Sequence, residues 1–122
     1  MKEQDELLDS AEEKLVTARY LLDGERYNDA VSRAYYSMFF AAKALLLEEG
    51  SRPKSHQGFS SELGKLFRDE LDPEVTRQYS EIQTWREEAD YSTGKNFDRE
   101  KAEKSIGFAE SFIQRARKLV ED

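Results

Sequence analysis

The chain of 122 residues has no cysteine and a single histidine, His56. Without cysteine there is no disulfide, no thiolate metal site and no cysteine nucleophile. One histidine removes the usual multi-histidine metal centres, so neither a metal nor a cofactor is expected. No apolar run approaches the roughly 20 residues that span a bilayer. The first ten residues, MKEQDELLDS, are too acidic for a secretory signal. No stretch alternates with period two, so no strand is expected. There is no internal repeat and no low-complexity segment. These absences lead to the expectation of a cytoplasmic protein with no membrane association.

What is present is charge and helical periodicity. Charged residues make up 37% of the chain and apolar residues 38%, with a formal net charge of −7. So acidic a chain is not built for nonspecific nucleic-acid binding, although a local basic patch is compatible with it. The length suits one domain, 1–122, with one core. Leu8, Ala11, Leu15, Ala18 and Leu22 form a first helical stripe, stopped by Asp23-Gly24, with Gly24 free to turn left-handed. A second helix is expected from about Asn28 to Glu49, ended by Gly50. Ser55 can cap a third helix carrying Phe59, Leu63, Leu66 and Phe67. Asp72-Pro73 starts a fourth with Val75, Tyr79, Ile82 and Ala89. STGKNFD reads as a polar loop, and Asp98 can cap a last helix with Ala102, Ile106, Ala109, Phe112, Ile113, Ala116 and Leu119. The fold class is therefore all-α, an up-and-down antiparallel bundle of four to five helices.

The second helix is the unusual one. In SRAYYSMFFAAKALL, residues 32–46, four aromatics fall within six residues beside Arg33. At 100° per residue, Ala30, Val31, Ala34, Tyr35, Met38, Ala42, Leu45 and Leu46 make a broad apolar face. Tyr36, Phe40 and Leu47 lie on the opposite side, with Asp29, Arg33 and Lys43 at its edge. Such a helix is either the central element of the bundle or meets another subunit with its second face. Tyr36, Phe40, Leu47 and Trp85 are accordingly interface candidates, and a homodimer is expected.

Three blocks, GERYNDAVSRAYYSMFFAAKALLLEEG, RPKSHQG and REEADYSTG, resemble the HEPN domain family in its small stand-alone form, over about residues 5 to 120. The resemblance implies an up-and-down helical bundle that dimerises. It also implies pairing with a minimal nucleotidyltransferase in toxin–antitoxin-like modules. Many members are metal-independent ribonucleases that use an arginine followed four to six residues later by a histidine. This chain departs from that pattern. Only three residues separate Arg52 from His56. Position 40, separated from Arg33 by six residues, is phenylalanine, and the residues after Arg86 are EEADYS. No side chain fills the general-base role where the motif would put it.

The candidate nucleotide- or phosphate-binding residues are Arg33, Tyr36, His56, Arg86, Asp90 and Tyr91; no catalytic residue is assigned. Arg33 offers a forked, permanently charged donor set, or an ion pair with Asp29 or Asp90. Tyr36 can stack on a base or pack between helices. His56 opens the third helix as acid, base, phosphate contact or ordinary first-turn residue, with Gly58 permitting close approach. Arg86 and Asp90 can form a same-face pair or share a pocket with Arg33 and Tyr91. In an up-and-down bundle the second and fourth helices run parallel, which sets Arg33 and Arg86 at opposite ends of one subunit. A shared site would then need either skewed connections within the subunit or a two-fold axis between subunits, the latter being favoured. The run Arg115, Arg117, Lys118 reads as a solvated face. The function expected is a binding and assembly module for a nucleotide or RNA, partnered by a minimal nucleotidyltransferase. The alternatives are a ribonuclease with a non-standard site and a helical adaptor without nucleotide chemistry.

Overall fold

The computed structural model describes residues 2–91 and 97–121. Five helices follow one another: α1 (Lys2–Asp23), α2 (Tyr27–Leu47), α3 (His56–Leu66), α4 (Pro73–Tyr91) and α5 (Arg99–Glu121). No strand occurs among the described residues. Most of the STGKNFD stretch, residues 92–96, lies outside them.

Local chemistry sets the helix ends. The Ser55 hydroxyl accepts the Gly58 N–H at 3.0 Å and caps α3. The Asp98 carboxylate accepts the Lys101 N–H at 2.9 Å and caps α5. Pro73 opens α4, where its missing N–H has no helical acceptor to lose. The turn after α2 closes on Gly50 at φ 67°, with Ser51 N–H bonding Leu46 O and Gly50 N–H bonding Leu47 O. That is the Schellman pattern. The turn after α1 closes the same way, but its left-handed residue is Glu25 at φ 62°, not Gly24. Arg26 N–H bonds Leu21 O at 2.8 Å and Glu25 N–H bonds Leu22 O at 3.0 Å. The register of these two bonds decides which residue must turn, and it selects the glutamate.

Helix α2 is the central element and packs on all four others. Its Ala34, Tyr35, Met38, Ala42, Leu45 and Leu46 are buried against Leu8 and Leu15 of α1, Tyr79 and Ile82 of α4, and Phe112 and Ile113 of α5. Each large side chain so buried contributes ~1.5–3 kcal/mol. The alanines of α2 let neighbouring helices approach, and Tyr35 and Tyr79 fill the space between α2 and α4, their ring centroids 5.8 Å apart. The second face of α2 is half-buried. Tyr36 and Phe40 pack on the core at one edge. The Lys14 ammonium of α1 lies 5.8 Å from the Phe40 ring centroid. Phe59 of α3 meets Phe39 edge-on at 4.6 Å.

Helix directions depart from the expectation. Arg86, late in α4, sits over Tyr35 and Tyr36, early in α2. Met38, further along α2, shares a crevice with Val75 and Gln78, early in α4. Helices α2 and α4 therefore run antiparallel. The reason is the connection between α2 and α3. Residues 48–55 run back alongside α2, bringing His56 to the level of Tyr35 and Phe39. Eight residues reach up to about 26 Å when extended, more than the roughly 12 Å between Leu47 and Phe39 along a helix. One reversal of direction is made without a helix, and α3 then makes the next.

Arg117 also departs from the solvated face expected of it. Its guanidinium reaches Asp9 at 3.2 Å and Glu12 at 3.3 Å, tying α5 to α1.

Candidate functional site

Where α2, α3 and α4 meet, a polar cluster is set among aromatic rings. Tyr35 comes from the buried face of α2, because its position falls on the broad apolar stripe. His56 comes from the first turn of α3, held there by the Ser55 cap. Arg86 comes from the inner face of α4, four residues beyond the buried Ile82. The Tyr35 hydroxyl and His56 Nδ1 are 2.6 Å apart. The Arg86 guanidinium carbon lies 5.1 Å from the Tyr35 ring centroid and 5.8 Å from that of Tyr36. His56 is further enclosed by Phe39, at a centroid distance of 4.6 Å.

Arg86 is the group that most needs explaining. It is only 5% exposed. Its ion pair with Asp90 is 3.5 Å long, and its Nε has no hydrogen-bond partner among the described residues. Two cation–π contacts contribute on the order of 2 kcal/mol each at best. Taking a guanidinium out of water costs several kcal/mol even after relaxation. Burial of this arginine does not stabilise the fold as an apolar residue of the same size would.

The cluster's electrostatics follow from burial and from Arg86. Burial pushes the Tyr35 phenol up to about 12, against the opposing influence of its neighbour Tyr79 and of Arg86. The Tyr79 phenol is raised too, chiefly by burial and further by Tyr35 beside it, and its hydroxyl meets no partner at full hydrogen-bond geometry among the described residues. Burial and then Arg86 hold the His56 imidazole below its ordinary range, with Lys43 adding to the effect and Glu87 opposing it.

Of the sequence candidates, Tyr36, His56, Arg86 and Asp90 fall in or beside this cluster. Tyr91 does not join it; that ring is 78% exposed. Arg33 is exposed and makes no ion pair with the described residues. It lines a cleft of about 410 Å³ with Thr17, Leu21, Asp29, Ser32 and Tyr36. Arg33 and Arg86 thus flank the same residue, Tyr36, within one subunit, one from the cleft and one over the ring. The two-fold axis invoked to bring them together is unnecessary, because the helices are antiparallel. Arg52, the arginine preceding His56, is spent on Glu3 at the surface. Of the interface candidates, Trp85 is half-buried, packed against the core on one side with the Lys101 ammonium 4.8 Å from its ring centroid. Leu47 lines a crevice with Leu7, Lys43 and Phe59. Sequence reasoning assigned Tyr35 to the core alone. Its hydroxyl is the polar centre of the cluster, and the signal was its place two residues after Arg33 on a helix facing SHQG.

The chain is similar to known proteins over nearly its whole length. The family model described as HEPN domain matches residues 4–119. A Methanocaldococcus jannaschii protein named "Putative toxin MJ0605" is 38% identical over 118 residues, covering 95% of this chain and 87% of that one. A second protein of that organism, "Putative toxin MJ0142", is 35% identical, covering 98% of this chain and 82% of its own. Among solved structures, the protein TT1696 from Thermus thermophilus matches with a TM-score of 0.84 at 18% identity, covering 97% of this chain and 98% of that one. A HEPN domain protein from Thermotoga maritima matches with a TM-score of 0.73 at 24% identity, covering 95% and 98%. The likeness to these two structures is one of fold. On the family match and the curated relatives together, the chain belongs to the HEPN domain family.

Proposed function

We propose that this chain is the HEPN component of a cytoplasmic toxin–antitoxin-like pair. In this reading it forms a homodimer and is partnered by a minimal nucleotidyltransferase. It holds a nucleotide or an RNA phosphate at the cluster of Tyr36, His56 and Arg86, with Arg33 at the neighbouring cleft. The toxin-related names of two relatives support the system-level part of this reading. The observation that carries the site is Arg86: a buried guanidinium with an incomplete set of partners, beside an aromatic ring and an imidazole. A costly buried charge with a specific partner is the physical signature of a candidate functional site. A phosphate gives that guanidinium the bidentate acceptor it lacks, and Tyr36 gives a base a face to stack on.

Calorimetric titration with AMP and with a short single-stranded RNA tests this reading. Binding by the wild type that weakens at least tenfold in Arg86→Met supports it. A folded wild type that binds neither overturns it. Sedimentation equilibrium at micromolar concentration tests the homodimer, which should show about twice the monomer mass. A second reading, a ribonuclease with a non-standard site, draws on the nearness of His56 to Arg86 across Tyr35. Little or no ribonuclease activity is expected. RNA degradation that survives rigorous purification but vanishes in His56→Ala would promote that second reading.

A further inference from the structure

His56 and Tyr35 share one proton across a 2.6 Å contact, and which of them holds it fixes what the histidine can do. The phenol of Tyr35 is fully buried and stays protonated at any ordinary pH. A buried O–H must donate to something. Two acceptors are near. The Tyr79 hydroxyl stands beside Tyr35 but makes no hydrogen bond of full geometry with it. Their contact lowers the Tyr35 phenol pKa while raising that of Tyr79, which makes Tyr79 the donor and not the acceptor of the Tyr35 proton. That leaves His56 Nδ1.

We infer that Tyr35 is a positioning residue: it donates to His56 Nδ1 and so holds the imidazole as the neutral tautomer with its proton on Nε2. The ring then meets a ligand as a hydrogen-bond donor. With Nδ1 occupied and Nε2 protonated, it has no lone pair with which to take a proton from a nucleophile. A second proton on the ring would turn both nitrogens into donors. Tyr35 would have to turn its O–H away from the ring, with the buried Tyr79 hydroxyl as the acceptor left to it. The new charge would also face Arg86 of α4 and Lys43 of α2, with Glu87 of α4 as the one opposing carboxylate. Tyr36 and Phe39, the other α2 side chains against the ring, are uncharged. The geometry and the neighbouring charges favour the same neutral form.

The donor role toward a phosphate oxygen rests on the function proposed above; the tautomer does not. Long-range proton–nitrogen correlation NMR on the ligand-free protein at pH 7.5 reads the tautomer directly. The expected spectrum has a protonated Nε2 and an acceptor-type Nδ1. A protonated Nδ1, or an averaged mixture of tautomers, would overturn the inference. Tyr35→Phe should lose the single-tautomer pattern, while Tyr79→Phe should keep the wild-type pattern. Should Tyr35→Phe not fold, the wild-type spectrum still decides. Titration of the wild type with AMP separates the two claims. An unchanged tautomer with no shift in the His56 resonances defeats the binding reading and leaves Tyr35 in its positioning role. A shift that includes Nε2 sustains both.

Discussion

The guanidinium of Arg86 on α4 lies 5.1 Å from the centroid of the Tyr35 ring on α2, and the hydroxyl of that same tyrosine touches His56 on α3. One side chain therefore joins a permanent cation to a titratable base across three helices. The sequence motif expected of an arginine–histidine pair is absent, yet the fold brings an arginine and the chain's one histidine to a common tyrosine. What the two can do together is set by Tyr35, because it occupies the histidine nitrogen facing the core.

The depressed pKa of His56 carries a pH signature in stability. The folded state disfavours the imidazolium and the unfolded state does not, so below the ordinary value of 6.5 the unfolded chain binds more protons. The contribution of His56 is fully present above that pH and is lost as pH falls through the folded value. Carboxylates titrate lower and are shared by a variant, so the comparison is by difference. Thermal melts of wild type and His56→Gln should run parallel from pH 8 to 7. The wild type should lose more Tm than the variant between pH 6.5 and 5. Parallel curves throughout would count against the depressed value.

Arg86→Met should separate stability from binding. The substitution removes a buried charge with a long ion pair and replaces it with an apolar chain of similar length. Replacing a whole buried pair by apolar residues is often neutral or stabilising by about 1–4 kcal/mol, whereas removing one partner is costly when the other stays buried. Here the partner left behind, Asp90, is 30% exposed and returns to solvent. The lost cation–π contacts offset part of that gain. The expected melt shows a Tm equal to or above that of wild type. A loss of several kcal/mol would mean that Arg86 is a structural residue whose partners are sufficient.

Much of this was legible before the structure. Apolar stripes at helical spacing gave five helices, because a stripe that must face a core leaves its period in the sequence. Ser55, Pro73 and Asp98 marked helix starts through chemistry that acts within three residues. What was not legible depends on longer range. The reversal made by residues 48–55 carries no periodicity, so α2 and α4 were read as parallel. Tyr35 was read as core from its position on the stripe, and a stripe says nothing of where a hydroxyl finds its partner. Gly24 looked like the helix stop, yet the closing hydrogen bonds are registered one residue further on.

That register makes Glu25 a site for improvement. A residue with a Cβ in the left-handed region costs on the order of 1 kcal/mol relative to glycine, and Glu25 holds φ 62°. Glu25→Gly should raise stability by about 1 kcal/mol, less the entropy that glycine adds to the unfolded chain. Gly24→Ala should gain about 0.4–1 kcal/mol by a different route, a lower entropy of the unfolded chain, since Gly24 lies outside the left-handed region and an added Cβ would make an ordinary 3.6 Å contact with Tyr20 O. Urea denaturation of both variants checks this pair. A destabilised Glu25→Gly would mean that the α1 turn closes differently in solution.

Arg33 and Arg117 should exchange the roles that charge alone would give them. Arg33 is exposed and unpaired among the described residues, so Arg33→Ala should leave the melt within about 0.5 kcal/mol of wild type. Its place beside Tyr36 in the cleft predicts a several-fold loss of AMP or RNA affinity. Arg117 touches Asp9 and Glu12 on another helix, and half-exposed pairs of this kind contribute about 1 kcal/mol together. Arg117→Ala should lower stability by that amount and leave ligand affinity unchanged, because the α1–α5 seam does not border Tyr36. Salt discriminates further: about 0.5 M NaCl should shrink the Arg117→Ala stability difference by screening the pairs. The reverse pattern, with Arg33→Ala unfolding the chain and Arg117→Ala weakening the ligand, would place the binding surface on the α1–α5 seam.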